Sequence, residues 1–137
     1  MRIFIDTGAF IALFISSEKY HQQTASKYKS YRKQRTSFFT SFFILDELFT
    51  RLIYDFGKTK TQKVIDLLEK SIQKEELMIL EIDKTTFKKA EGALLKFSDH
   101  KISFTDVTSY VLYKDFGMDE IFTLDGDFKK IGTRTSF

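Results

Sequence analysis

SFTDVTSYVLYKDFGMDEIFTLDGDF, residues Ser103 to Phe128, is the stretch whose reading decides the fold. Ser103-Phe-Thr-Asp106 has the hydroxyl-x-x-acid spacing of a helix start, where the hydroxyl accepts from a free backbone N–H. Val107, Tyr110, Val111 and Phe116 then recur at helical spacing, and Gly117 supplies a left-handed stop. Glu120 to Leu124 is a short β-rich run followed at once by Asp125-Gly-Asp127. One acid therefore sits at a helix N-terminus and two sit just past the C-terminal end of a strand, the edge where open α/β sheets bind ligands.

Working outward, the first strand, residues 2–6, also ends in an acid, Asp6. Two strands that deliver carboxylates to one edge suggest a metal site. Thr7-Gly8-Ala9 reads as a tight strand-to-helix turn with Thr7 as N-cap. Helices are expected over residues 9–15, 18–35, 41–56, 59–73, 84–97 and 104–116, and strands over 37–40, 77–82 and 119–124. Residues 133–137 read as a short edge strand. On the helix at 41–56, Phe42, Leu45, Phe49, Leu52 and Phe56 form an apolar stripe. Phe87, Ala90, Leu94 and Leu95 mark the inner face of the helix at 84–97, and Asp83 caps it. Strands alternating with helices or helix pairs imply a parallel sheet with right-handed crossovers. The 137 residues carry no internal repeat or interdomain linker, so one domain spanning 1–137 is expected.

Apolar content of 42% with 30% charged residues is ordinary for a globular protein. The absence of cysteine excludes disulfides, thiolate metal sites and a cysteine nucleophile, and fits a reducing cytoplasm. Sixteen phenylalanines against no tryptophan point to a Phe-filled core and an apolar oligomer face. A net charge of +3 permits a nucleic-acid partner without requiring one. The apolar run from Ile3 to Ile15 is interrupted by Asp6 and is too short to span a bilayer, so no membrane segment is expected.

Each acid has a plain structural reading. Glu47 can pair with Arg51 one turn later while Asp46 faces solvent. Asp106 suits the helix dipole, and Asp125 and Asp127 suit a turn. Asp6, directly after a buried strand, is the hardest to dismiss this way. Together these readings would need separate acids to converge on one sheet edge by accident. Clustered carboxylates repel unless protonated or bridged by a cation. An oxygen-only set without His or Cys selects Mg²⁺ or Mn²⁺, which can activate water and polarise a phosphodiester.

The motifs IDTGAFIAL, TSFFILDELFTRL, SFTD and TLDGDF, in that order over nearly the whole chain, resemble the PIN-domain nucleases, in particular the VapC-like ribonuclease toxins of toxin–antitoxin modules. The resemblance implies a PIN-like α/β domain with a central parallel sheet of four to five strands flanked by helices. It implies a Mg²⁺- or Mn²⁺-dependent endoribonuclease, cytoplasmic, dimeric and silenced by an antitoxin protein. Carried over by position, it makes Asp6, Glu47, Asp106 and Asp125 catalytic, with Asp6, Asp106 and Asp125 holding the metal. Thr7 and Thr123 match supporting hydroxyls, and Asp127 a more variable acid. The implied products carry a 5′ phosphate and a 3′ hydroxyl.

Three rivals share parts of this pattern: a 5′-nuclease-like DNase, a non-catalytic PIN-fold module that docks a partner, and a phospho-receiver domain. The last lacks a lysine directly after its fourth strand. Lys27, Lys29, Arg32, Lys33 and Arg35, with Tyr28 and Tyr31 interleaved, could form a track for single-stranded RNA. The same run also reads as a solvated helix face, which charge runs usually are. His21 and His100 read as surface residues.

Overall fold

The computed structural model describes residues 1–137, all of the chain. Four short strands, β1 (Arg2–Ile5), β2 (Ser37–Ser41), β3 (Leu77–Leu80) and β4 (Glu120–Phe122), form a parallel sheet in the order β3-β2-β1-β4. Seven helices connect and follow them: α1 (Thr7–Phe14), α2 (His21–Lys33), α3 (Phe42–Phe56), α4 (Lys58–Gln73), α5 (Lys84–Lys96), α6 (Phe104–Asp115) and α7 (Asp127–Lys130). A parallel sheet covered by helices is buried on both faces, which is why β1 reads RIFI and β4 EIF rather than alternating. Phe4 pairs with Phe39 on one side and Ile121 on the other. Phe4, Phe10, Phe122 and Phe128 are fully buried. Each such side chain contributes about 1.5–3 kcal/mol relative to exposure.

The strand order fixes where a ligand can bind. From β1 the chain steps outward to β2 and β3, then crosses back to place β4 on β1's other side. The crevice between the C-terminal ends of β1 and β4 is therefore the topological switch point of the sheet. Asp6 follows β1 and Thr123 follows β4, and the Asp6 N–H donates to the Phe122 carbonyl at 3.0 Å, carrying the pairing one residue past the strands.

Several local expectations are corrected. Asp6, not Thr7, occupies the N-cap of α1, and Thr7 is already helical. Phe42 is 65% exposed, because the buried stripe of α3 is Ile44, Leu45, Leu48 and Leu52. The Ser41 hydroxyl accepts from the Ile44 N–H at 3.2 Å and so sets that rotation. On α5 the inner face is Thr86, Ala90 and Ala93; Phe87 and Leu95 point outward. Small residues there let α6 pack closely through Val107 and Val111. The acidic loop continues into the one-turn helix α7. The C-terminal tail adds a single parallel bridge, Ile121 with Thr135, rather than a strand. Tyr31 is buried with its hydroxyl on Glu120 and Ser136, and Tyr28 packs on Phe38 at 4.9 Å between ring centroids. The aromatics of α2 thus serve the core, leaving its basic residues as a solvated face. No helix is long and apolar enough to cross a membrane.

Candidate active site

Asp6 is 7% exposed and leaves the sheet at its switch point. Its Oδ2 accepts from the Thr123 hydroxyl at 2.8 Å, and that hydroxyl accepts from the Asp125 N–H at 3.0 Å. Thr123 therefore ties the acid after β1 to the acid after β4 through one buried oxygen. Asp125 Oδ1 in turn accepts from the Asp127 N–H at 2.9 Å, which bends the chain into α7. Burial raises the Asp6 pKa to about 7; the Thr123 hydrogen bond opposes the rise, and the charges of Asp106 and Glu47 add to it.

Glu47 and Asp106 belong to the same electrostatic group. Glu47 is held above the usual carboxylate range by burial and then by Asp106, while the Thr7 hydroxyl and Arg51 pull it back. Thr7 Oγ1 is itself buried without a well-formed hydrogen bond of its own. Burial likewise raises Asp106, with Asp125 and Asp127 contributing and its bonds to Ser103 opposing. Those bonds form a reciprocal cap. Ser103 Oγ accepts from the Asp106 N–H, and Asp106 Oδ2 from the Ser103 N–H, both at 3.1 Å. Asp127 lies at the rim, paired with Lys130 at 2.8 Å, and that bond lowers its pKa. Lys130 lies outside the sequence expectation, although Asp-x-x-Lys is the right spacing on a helix, because the short Asp125-Gly-Asp127 run carries turn signals and no helical period. Asp46, next to Glu47, is exposed.

Carboxylates raised by burial and then by one another's charge would be eased by a cation. The donor set is all oxygen, which suits a hard divalent ion. As they stand, no three acidic or histidine side chains converge closely enough to ligate one ion in common. Mg²⁺ commonly keeps several waters and takes only one or two carboxylates directly, so the spacing fits an ion held partly through water. Asp6, Asp106 and Asp125 are the residues that could hold it.

The PIN domain family model matches residues 3–133. The chain belongs to the PIN domain family. Solved structures share this PIN fold. VapC20 of Mycobacterium tuberculosis, described as a sarcin–ricin loop cleaving toxin, superposes with a TM-score of 0.84 at 21% identity, covering 96% of this chain and 95% of that one. VapBC2 of Rickettsia felis, bound to a DNA fragment from their promoter, gives 0.73 at 14% identity over 98% and 97% of the two chains. FitAcB of Neisseria gonorrhoeae gives 0.67 at 15% identity over 97% and 95%. At these identities the likeness is one of fold. The comparison with curated proteins returns no match.

Proposed function

We propose that this PIN domain is a metal-dependent endoribonuclease, the toxin of a toxin–antitoxin pair, working in the cytoplasm as a homodimer. The observation that carries the reading is the Asp6–Thr123–Asp125 connection at the sheet's switch point, with Glu47 and Asp106 electrostatically coupled to it. Membership of the PIN family supports a nuclease, and the description of VapC20 as a sarcin–ricin loop cleaving toxin supports RNA over DNA. The VapBC2 complex of Rickettsia felis supports an antitoxin partner.

Asp6, Asp106 and Asp125 would hold Mg²⁺ or Mn²⁺, directly or through water. When bound, the ion screens the acids from the RNA phosphate and polarises the scissile bond. Glu47 orients the attacking water and accepts its proton; burial, which raises its pKa above the ordinary carboxylate value, suits a general base. Thr123 fixes the Asp6 carboxylate, and Thr7 supports Glu47. In-line attack on phosphorus forms the new P–O bond as the bond to the 3′ oxygen breaks, leaving a 5′ phosphate. Cleavage of mixed single-stranded RNAs should require Mg²⁺ or Mn²⁺ and stop with EDTA. Undiminished cleavage in EDTA overturns the metal mechanism, and cleavage of DNA in preference to RNA overturns the substrate.

A further inference from the structure

Beside the acidic edge lies a cavity of about 220 Å³, lined by α1 around Gly8, by Glu18 and Tyr20 of the α1–α2 connection, by Arg51 of α3 and by Leu124. Its walls come from the immediate neighbours of the acids. Gly8 lies two residues after Asp6, Arg51 one helical turn after Glu47, and Leu124 directly before Asp125. A Cβ built at Gly8 meets nothing within 4 Å, so the backbone there borders open space. The volume is below the roughly 300–1,000 Å³ of ordinary small-molecule sites, and suits one ring with its substituents.

The segment that carries Glu18 and Tyr20 is held by its backbone. The Glu18 N–H donates to the Ile15 carbonyl at 3.1 Å and the His21 N–H to the Glu18 carbonyl at 3.0 Å. His21 Nδ1 bonds the Ala12 carbonyl at 2.8 Å, pinning the connection back onto α1. The His21 ring, expected at the surface, is thus an anchor. None of the chain's ion pairs involves Glu18 or Arg51. Tyr20 is 45% exposed, with Lys19 Nζ 5.2 Å from its ring centroid. A half-exposed aromatic, an acceptor-only carboxylate and a donor-only guanidinium around a ring-sized space are the groups that read an unpaired base.

We propose that this cavity receives the unpaired base beside the scissile phosphate of a single-stranded RNA, selecting one that bears an exocyclic amino group. The inference rests on the ribonuclease reading above. Tyr20 stacks on the base, with the Lys19 ammonium adding charge at the ring. Glu18 accepts from the exocyclic amine, which uracil lacks. Arg51, beside Glu47, meets the phosphate of the same nucleotide with its forked donors.

The test is cleavage of a pool of single-stranded RNAs randomised across the cut region, with the products sequenced. The wild-type protein should disfavour uridine at one position flanking the cut by about tenfold, the worth of one good base contact. Glu18→Gln should erase that bias, since an amide both donates and accepts. Tyr20→Ala should raise KM about tenfold, the scale of one stacked base, with kcat within about twofold, and Tyr20→Phe should restore KM. All three should melt with the wild type, because neither side chain is buried. An unchanged flanking profile in Glu18→Gln, or an unchanged KM in Tyr20→Ala, overturns the pocket and leaves the nuclease reading intact. A wild-type protein that cuts no RNA overturns the nuclease reading itself.

Discussion

Asp6 is the residue on which the proposed chemistry turns, and its pKa of about 7 makes it a measurable one. Its folded-state pKa is raised above the ordinary value of 3.8, so the native state binds a proton the unfolded chain would release. The associated stability is complete below about pH 4 and is lost as pH rises through 7. Between pH 6 and pH 8 the metal-free protein should lose about 1.4 kcal/mol, because the carboxyl is on average half protonated across those two units. Asp6→Asn should flatten that slope. Urea unfolding in EDTA at the two pH values measures both, and equal slopes in mutant and wild type would show that Asp6 does not titrate there. Glu47 offers a second contrast at this scale. It and Asp46 point about 100° apart on α3; Asp46 is exposed, and Glu47 is coupled to Asp6 and Asp106. Glu47→Gln should cut turnover about a hundredfold or more, the scale of one catalytic group. Asp46→Asn should change it less than about fivefold, under roughly 1 kcal/mol of barrier. Steady-state cleavage of one RNA by both variants, each checked for folding, ranks them, and the reverse order moves the function to Asp46.

At the scale of elements, α6 shows one motif serving two ends. Ser103 and Asp106 close a reciprocal cap, yet burial and the acids of the α7 region keep Asp106 above its usual pKa. The cap stabilises the helix while the charge strains the metal-free fold. Asp106→Asn retains an acceptor for the Ser103 N–H and removes the charge, so the metal-free protein should melt a few degrees higher. It should also gain less than the wild type from added Mn²⁺, by mass action. Ser103→Ala removes the cap alone and should cost about 1 kcal/mol. Calorimetry with and without Mn²⁺ separates the two, and a metal-free Asp106→Asn that melts lower than wild type would make Asp106 a structural cap only. The cap was legible in the sequence because its chemistry is local, spanning four residues. So were the strands, whose apolar runs and flanking turns are also local. What lay outside that reach was rotation and register. Phe42, Phe87 and Leu95 look like core residues by type, but Ser41's cap and the close α5–α6 packing turn them outward. The meeting of Asp6 with Thr123, far apart in the chain, could be named by resemblance alone. The Thr123 hydroxyl's double role, donating to Asp6 and accepting from Asp125, needed coordinates.

For the whole molecule, those outward residues pose the remaining question. The exposed apolar side chains include Phe42, Ile53 and Tyr54 on α3 and Phe87 and Leu95 on α5, with Tyr54 and Leu95 more than three-quarters exposed. Scattered single exposures need no explanation. Here, the sheet's core is already filled by Phe4, Phe10, Phe38, Phe39, Phe122 and Phe128; Phe87 still meets Phe104 edge-on, 4.9 Å between ring centroids, while Phe42 and Tyr54 leave most of their surface to solvent. Large apolar side chains left on the surface are the usual material of an association surface. A symmetric dimer would place the same patch against itself. Light scattering at tens of micromolar should therefore report about twice the 16.1 kDa chain mass. The double variant Phe42→Asp, Leu95→Asp should shift that mass to the monomer. Because both side chains are 65% or more exposed in the single chain, the substitutions should leave the isolated fold within about 0.5 kcal/mol of wild type per site. Intact circular dichroism with a monomeric mass would then locate the interface on α3 and α5. A wild-type monomer at that concentration would refute the dimer, and a variant that remains dimeric would move the interface to another face.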